Sequence, residues 1–184
     1  MDSSLRDRRL INEWKILEEL GRTNQQIVEV LDHRSVADSD SFHIVLHNTS
    51  GMVRREGQRT ILHSHPVAFR FARFFPALPI EAKLALPLFH PNVDSETGFV
   101  CLWNRFSAGD TIVEAIIQLQ QIICWKQMNL QEEHVLQPEA VRWYNQAGHA
   151  DTLPLDFRPV IQPEESRLEQ TYRPVHCKRR RRLS

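Results

Sequence analysis

The chain has no surplus of either charge: 23 lysines and arginines stand against 23 aspartates and glutamates. Nucleic-acid binders usually neutralise phosphates with excess cations, so this balance argues against one. No apolar run approaches the roughly 20 residues that a membrane-crossing helix needs. The opening Met1-Asp2-Ser3-Ser4-Leu5-Arg6 lacks the apolar stretch of a secretory leader. Three cysteines in 184 residues are too few for a disulfide framework, and a reducing, cytoplasmic setting is expected. His63-Ser64-His65 has a spacing that can bind a metal, but no acid or thiol accompanies it usefully. It reads as strand or loop surface, and neither metal nor other cofactor is expected. No internal repeat is visible.

What is present suits one domain with a tail. Of the residues, 41% are hydrophobic, enough to build a sizeable core at this length. Leu10, Trp14 and Leu17 recur at helical spacing and predict an amphipathic helix over about 4–20, ended by Gly21. Strand-like segments follow at 27–31 and 42–46, then at 67–71 and 81–86, with Asn48-Thr49-Ser50-Gly51 read as a turn. Thr111-x-x-Glu114 is a capping-box pattern, and Ile112, Ile116, Leu119 and Ile123 form one stripe, predicting a core helix over 111–127. Pro138 opens a short second helix. The expected architecture is α+β: an N-terminal helix, a four-stranded antiparallel sheet, a long irregular loop, a core helix and a short C-terminal helix, all within 1–149. Beyond it, 150–184 contains Pro154, Pro159, Pro163 and Pro174 and ends in Lys178-Arg179-Arg180-Arg181-Arg182. That tail is expected to be an extended arm, partly docked and partly disordered. Its basic run reads as a solubilising end or as a nuclear or nucleic-acid signal.

The chemistry concentrates in the irregular loop. His90-Pro91-Asn92 precedes Cys101 by nine positions, and Phe106-Ser107-Ala108-Gly109 follows. A cysteine thiolate both attacks and leaves well, which suits acyl transfer. A carboxamide near it can donate a hydrogen bond to a tetrahedral oxyanion. Cys101 is the candidate nucleophile and Asn92 the candidate oxyanion donor or loop support. The plain alternatives are a buried cysteine and a turn-forming asparagine. Cys124, beside the helical stripe, reads as core, and Cys177 as a solvated thiol. Trp103 either shields the site from water or packs on the loop.

This order of motifs resembles the ubiquitin-conjugating enzymes over about residues 4–147. The resemblance implies a UBC-like fold with this loop as its active-site loop. It implies a transferase that receives a ubiquitin-like protein from an activating enzyme as a thioester on Cys101 and passes it to a target amine. His90 then shapes the loop. The family places an acid four residues before the proline that opens the next helix; here that position is His134, next to Glu133, and either is the candidate base. Partner contacts would fall on Arg6, Arg8, Arg9 and Lys15 of the first helix for the activating enzyme. Phe71 and Ala108 would serve a ligase. The family's usual Trp-Ser-Pro-Ala is Phe106-Ser107-Ala108-Gly109 here, so the need for a ligase stays open. These departures suit a divergent bacterial member encoded in a ubiquitin-like conjugation operon, in antiviral defence. A catalytically silent binding module of the same fold is the alternative, and a cysteine hydrolase using His90 or His134 is a third reading.

Overall fold

Ser4 starts the first helix, α1 (Leu5–Thr23). Its side chain accepts the Asp7 N–H while the Asp7 carboxylate accepts the Ser4 N–H, so two otherwise unpaired backbone donors are satisfied. This is a computed structural model, describing residues 4–36, 39–153 and 155–162. The helix continues past Gly21, where an end was expected. The bare α-carbon there lies against Val30, whose Cγ2 would stand only 2.7 Å from an added Cβ.

Five strands follow as an antiparallel meander in chain order: β1 (Val28–Val36), β2 (Ser39–Arg55), β3 (Gln58–Phe71), β4 (Glu81–Leu84) and β5 (Phe99–Val100). The central hairpin is far longer than the sequence pattern suggested. Its reversal is at Glu56-Gly57, both with positive φ (50° and 81°), the backbone that a two-residue hairpin turn requires. Asn48-Thr49-Ser50-Gly51, expected to be that turn, lies within β2. The register slips between His47 and Gly51, so these turn formers make a bulge. The bulge also separates the two histidines expected to share a surface. His63 stays exposed, whereas His65 is buried and donates from Nε2 to the Thr49 carbonyl at 2.9 Å.

The core helix α2 (Ile112–Ile123) has the expected capping box between Thr111 and Glu114, and its stripe of Ile112, Ile116, Leu119 and Ile123 is buried. It stops before 127, with Trp125 in the left-handed region at φ 59°. Cys124 is fully buried, as expected of a core residue. Glu13 of α1, also fully buried, accepts the Ile112 N–H at 2.7 Å and pairs with Arg9 at 2.7 Å, joining the two helices. Phe42, Phe69 and Phe71 fill the space under the sheet with no exposure at all. Each such burial stabilises by roughly 2–3 kcal/mol. The short helix α3 (Pro138–Tyr144) begins at its proline.

After α3 the chain returns across the domain. Phe157 bridges Thr49, Val160 is buried, and Ile161 exchanges reciprocal bonds with the Asn24 carboxamide (2.9 and 2.7 Å). Cys177 and the basic run lie outside the described residues. Among the described residues no helix is long and apolar enough to cross a membrane.

Candidate active site

Strand β5 delivers Cys101. Gly98 makes this approach feasible: its φ is +74°, its carbonyl accepts the Leu84 N–H at 2.9 Å, and a Cβ there would lie 2.1 Å from the Leu84 oxygen. The Cys101 N–H donates to the Asn92 carbonyl at 2.8 Å, and Val93 bridges Val100. The His-Pro-Asn segment and the cysteine are therefore two legs of one paired loop.

Each residue of His90-Pro91-Asn92 is held from within. His90 is wholly buried, edge-on to Trp125 with ring centroids 4.7 Å apart. Its Nδ1 accepts the Asn92 N–H at 3.1 Å, which puts the ring proton on Nε2. Burial pushes its pKa down to about 3; the Gln127 backbone opposes this weakly, since Nε2 makes no hydrogen bond of full geometry. A ring kept neutral and enclosed shapes the loop and cannot reach a substrate. The Pro91 carbonyl accepts the N–H groups of Leu136 (2.7 Å) and Gln137 (3.1 Å). Asn92 is 1% exposed. Its Nδ2 donates to the carbonyls of Asn129 (2.6 Å) and His134 (2.8 Å), and its Oδ1 accepts the Asn129 N–H (2.8 Å).

The segment clamped in this way carries the base candidate. His134 Nδ1 lies 3.0 Å from Cys101 Sγ, both residues being half-buried. Glu133, its neighbour in the short 3-10 turn Glu132–His134, is exposed. Burial pushes the Cys101 thiol up from its ordinary range, so the sulfur needs a proton acceptor to become a nucleophile. An imidazole in hydrogen-bond contact meets that need. Among the described residues no three histidine, cysteine, aspartate or glutamate side chains gather as a metal site requires.

Two residues that the sequence did not single out complete the frame. Gln137, 2% exposed, donates from Nε2 to the carbonyls of Leu88 and Val93, both at 2.6 Å. Its place directly before the helix-opening Pro138 was the only available hint. Asn129 links Asn92 to Asn104, donating from Nδ2 to the Asn104 Oδ1 at 2.9 Å. No sequence pattern marks it. Trp103 donates to the Ile80 carbonyl at 2.7 Å and packs against the core, consistent with its loop-packing reading.

The expected partner-binding residues divide. Lys15 and Arg8 are exposed on α1, and Ala108 is exposed in its loop. Arg6 and Arg9 are engaged within the chain. Arg6 pairs with Asp40 at 2.8 Å and donates to the Phe71 and Ala72 carbonyls. Arg9, besides Glu13, donates to the carbonyls of Gly109 and Asp110. Phe71 requires correction as a contact residue. Strand alternation turns it to the core face, where it is fully buried with Phe42 and Phe75 at centroid distances of 4.4 and 4.9 Å. The exposed aromatic of that stretch is Phe74, at 65%.

No family model and no curated protein sequence matches the chain. Solved structures do. A candidate ubiquitin conjugating enzyme from Plasmodium yoelii aligns with a TM-score of 0.53 and 20% identity, over 82% of this chain and 89% of its own. Another, from Trypanosoma cruzi, aligns with a TM-score of 0.53 and 13% identity, over 81% and 94%. Identities this low speak to architecture alone, and by that measure the chain has the UBC-like fold of the ubiquitin-conjugating enzymes.

Proposed function

We propose that this protein is a transferase that carries a ubiquitin-like protein as a thioester on Cys101. The observation that carries the reading is the contact of 3.0 Å between Cys101 Sγ and His134 Nδ1, on a loop whose backbone is fixed from both sides. In loading, the Cys101 sulfur attacks the thioester carbonyl presented by an activating enzyme. A carbon–sulfur bond forms to Cys101, the bond to the activating enzyme breaks, and that enzyme's thiol leaves with the proton. In transfer, the amine of a target replaces Cys101, and His134 takes the proton that the amine sheds. His90, Asn92 and Gln137 hold the loop in register for both steps. The exposed Lys15 and Arg8 face the activating enzyme, and Ala108, joined by Phe74 in place of the buried Phe71, faces a ligase where one is used. The setting we expect is a cytoplasmic, bacterial conjugation operon with a role in antiviral defence, and its neighbouring genes would identify the cognate components.

Incubation with the cognate activating enzyme, its ubiquitin-like protein and ATP should give an adduct that thiols cleave and that Cys101→Ala abolishes. Absence of the adduct, or its survival in Cys101→Ala, sinks the proposal. Unimpaired biological activity of Cys101→Ala would favour the silent binding module.

A further inference from the structure

We infer that Arg54 and Arg59, opposite each other at the tip of the β2–β3 hairpin, form a carboxylate-binding site for an acidic segment of the protein that bears the acceptor amine. This deepens the transferase reading and rests on it. The tip, residues 54–59, holds three arginines and one acid, Glu56, all of them exposed. Arg54 and Arg59 are direct cross-strand partners, so their side chains share one face of the hairpin; Arg55 stands opposite Gln58 on the other face. Like charges in that register repel and weaken a hairpin. Neither Arg54 nor Arg59 has an ion-pair or hydrogen-bond partner among the described residues. An anion set between them would reverse the repulsion.

Arg59 is nevertheless held in place. Its Cζ lies 4.8 Å from the ring centroid of Trp143 and 5.5 Å from that of Phe89. Contact with two rings restrains the guanidinium while its N–H groups stay without an acceptor. That free fork matches the two oxygens of a carboxylate, and a restrained fork loses less freedom on binding one. Arg54 lines a groove of about 190 Å³ beside Phe89. Glu139 lines the same groove and pairs with neither arginine. Two guanidiniums on a chain of balanced charge suit a short acidic segment better than a nucleic acid, which needs a wider basic field.

The site adjoins the loop of the candidate nucleophile. The Phe89 N–H donates to the Met52 carbonyl at 2.8 Å, which ties the hairpin to that loop directly before His90. Three residues on, the Asn92 carbonyl accepts the Cys101 N–H. Chain lengths then put the Arg59 guanidinium at most about 30 Å from the sulfur, the span of about nine extended residues. One acceptor chain can therefore present its lysine at Cys101 and an acid at Arg59. The cations of α1 and the Phe74–Ala108 face lie on other elements, where the activating enzyme and a ligase are proposed to bind, and this leaves the hairpin tip to the acceptor.

The full chain, charged by thiol exchange with a ubiquitin C-terminal mercaptoethanesulfonate thioester, is discharged in a single turnover into either of two lysine peptides. One carries a run of glutamates about six positions from its lysine, and the other has glutamines there. We expect the parent to discharge about tenfold faster into the acidic peptide when both are dilute. In Arg54→Gln and in Arg59→Gln that ratio should fall to within about twofold of unity. Arg59→Lys, which keeps the charge and loses the fork, should lose most of it. Arg55→Gln, on the other face, should keep it. The inference is overturned by a parent without preference, by a preference that survives in the Arg54→Gln/Arg59→Gln double variant, or by one lost equally in Arg55→Gln. Fluorescence anisotropy of the acidic peptide, labelled with fluorescein, reads the site without charging. Arg59-dependent binding to a chain that fails to charge supports the carboxylate site and defeats the transferase reading. Tighter binding of a single-stranded RNA than of the acidic peptide overturns the inference.

Discussion

Cys101 Sγ and His134 Nδ1 are 3.0 Å apart, and the carbonyl of that same histidine is gripped at 2.8 Å by Asn92. Asn92 thus anchors the backbone from which the imidazole reaches the sulfur. His134→Gln should leave thioester formation measurable and slow aminolysis by about 10²–10⁴-fold, the usual contribution of a positioned base. Single-turnover discharge into lysine measures this, and a rate equal to the parent's would remove His134 from the mechanism.

His90 makes the fold acid-sensitive. Its pKa of about 3 in the folded chain, set mainly by burial, lies below the ordinary histidine value of 6.5. Between those two values the unfolded chain takes up a proton that the fold refuses. The stability His90 supports is therefore complete above pH 6.5 and drains away as pH falls towards 3. At pH 4.5 the loss should be about 2–3 kcal/mol. Denaturant unfolding at pH 7 and 4.5 should show that drop in the parent and a smaller one in His90→Asn, which keeps an acceptor for the Asn92 N–H.

Gln137 satisfies two buried carbonyls with one side chain. Gln137→Ala leaves both unpaired and should cost about 2–4 kcal/mol by equilibrium unfolding. A change under about 0.5 kcal/mol would mean that those carbonyls find other partners.

Phe71 and Phe74 should respond in opposite ways. Truncating fully buried Phe71 to alanine should destabilise by about 3–5 kcal/mol. Phe74→Ala, at 65% exposure, should change stability by no more than about 0.5 kcal/mol. If a ligase acts on this face, Phe74→Ala should weaken its binding in a titration while thioester formation is unaffected.

Local signals in the sequence carried much of the architecture. The capping box at Thr111 and Glu114 was legible because both partners sit within one helical turn. His134 and its neighbour Glu133 were marked by the resemblance, which implies an acid four residues before the helix-opening Pro138. Strand β5 has two residues, too few to show any alternation, and only its pairing to β4 makes it a strand. The turn at Glu56-Gly57 lost to the more obvious Asn48-Thr49-Ser50-Gly51, whose residue types suit a bulge as well as a reversal. Arg6 and Arg9 looked like free cations because most of the groups that hold them are remote in the chain, at residues 40, 71, 72, 109 and 110; only Glu13, four residues past Arg9, is local. For Phe71, alternation with Phe69 was a better guide to burial than spacing to Phe75-Pro76.

The segment 155–161 is the docked part of the arm expected after residue 150. Proline content changes near residue 150, yet the Arg158 carbonyl takes a hydrogen bond from Gln120 in the middle of α2, and Val160 is buried in the core. Trimming the chain at residue 149 would remove the partner of the Gln120 amide and uncover the core around Val160, so a version ending there is expected to unfold at lower denaturant than one ending at Gln162.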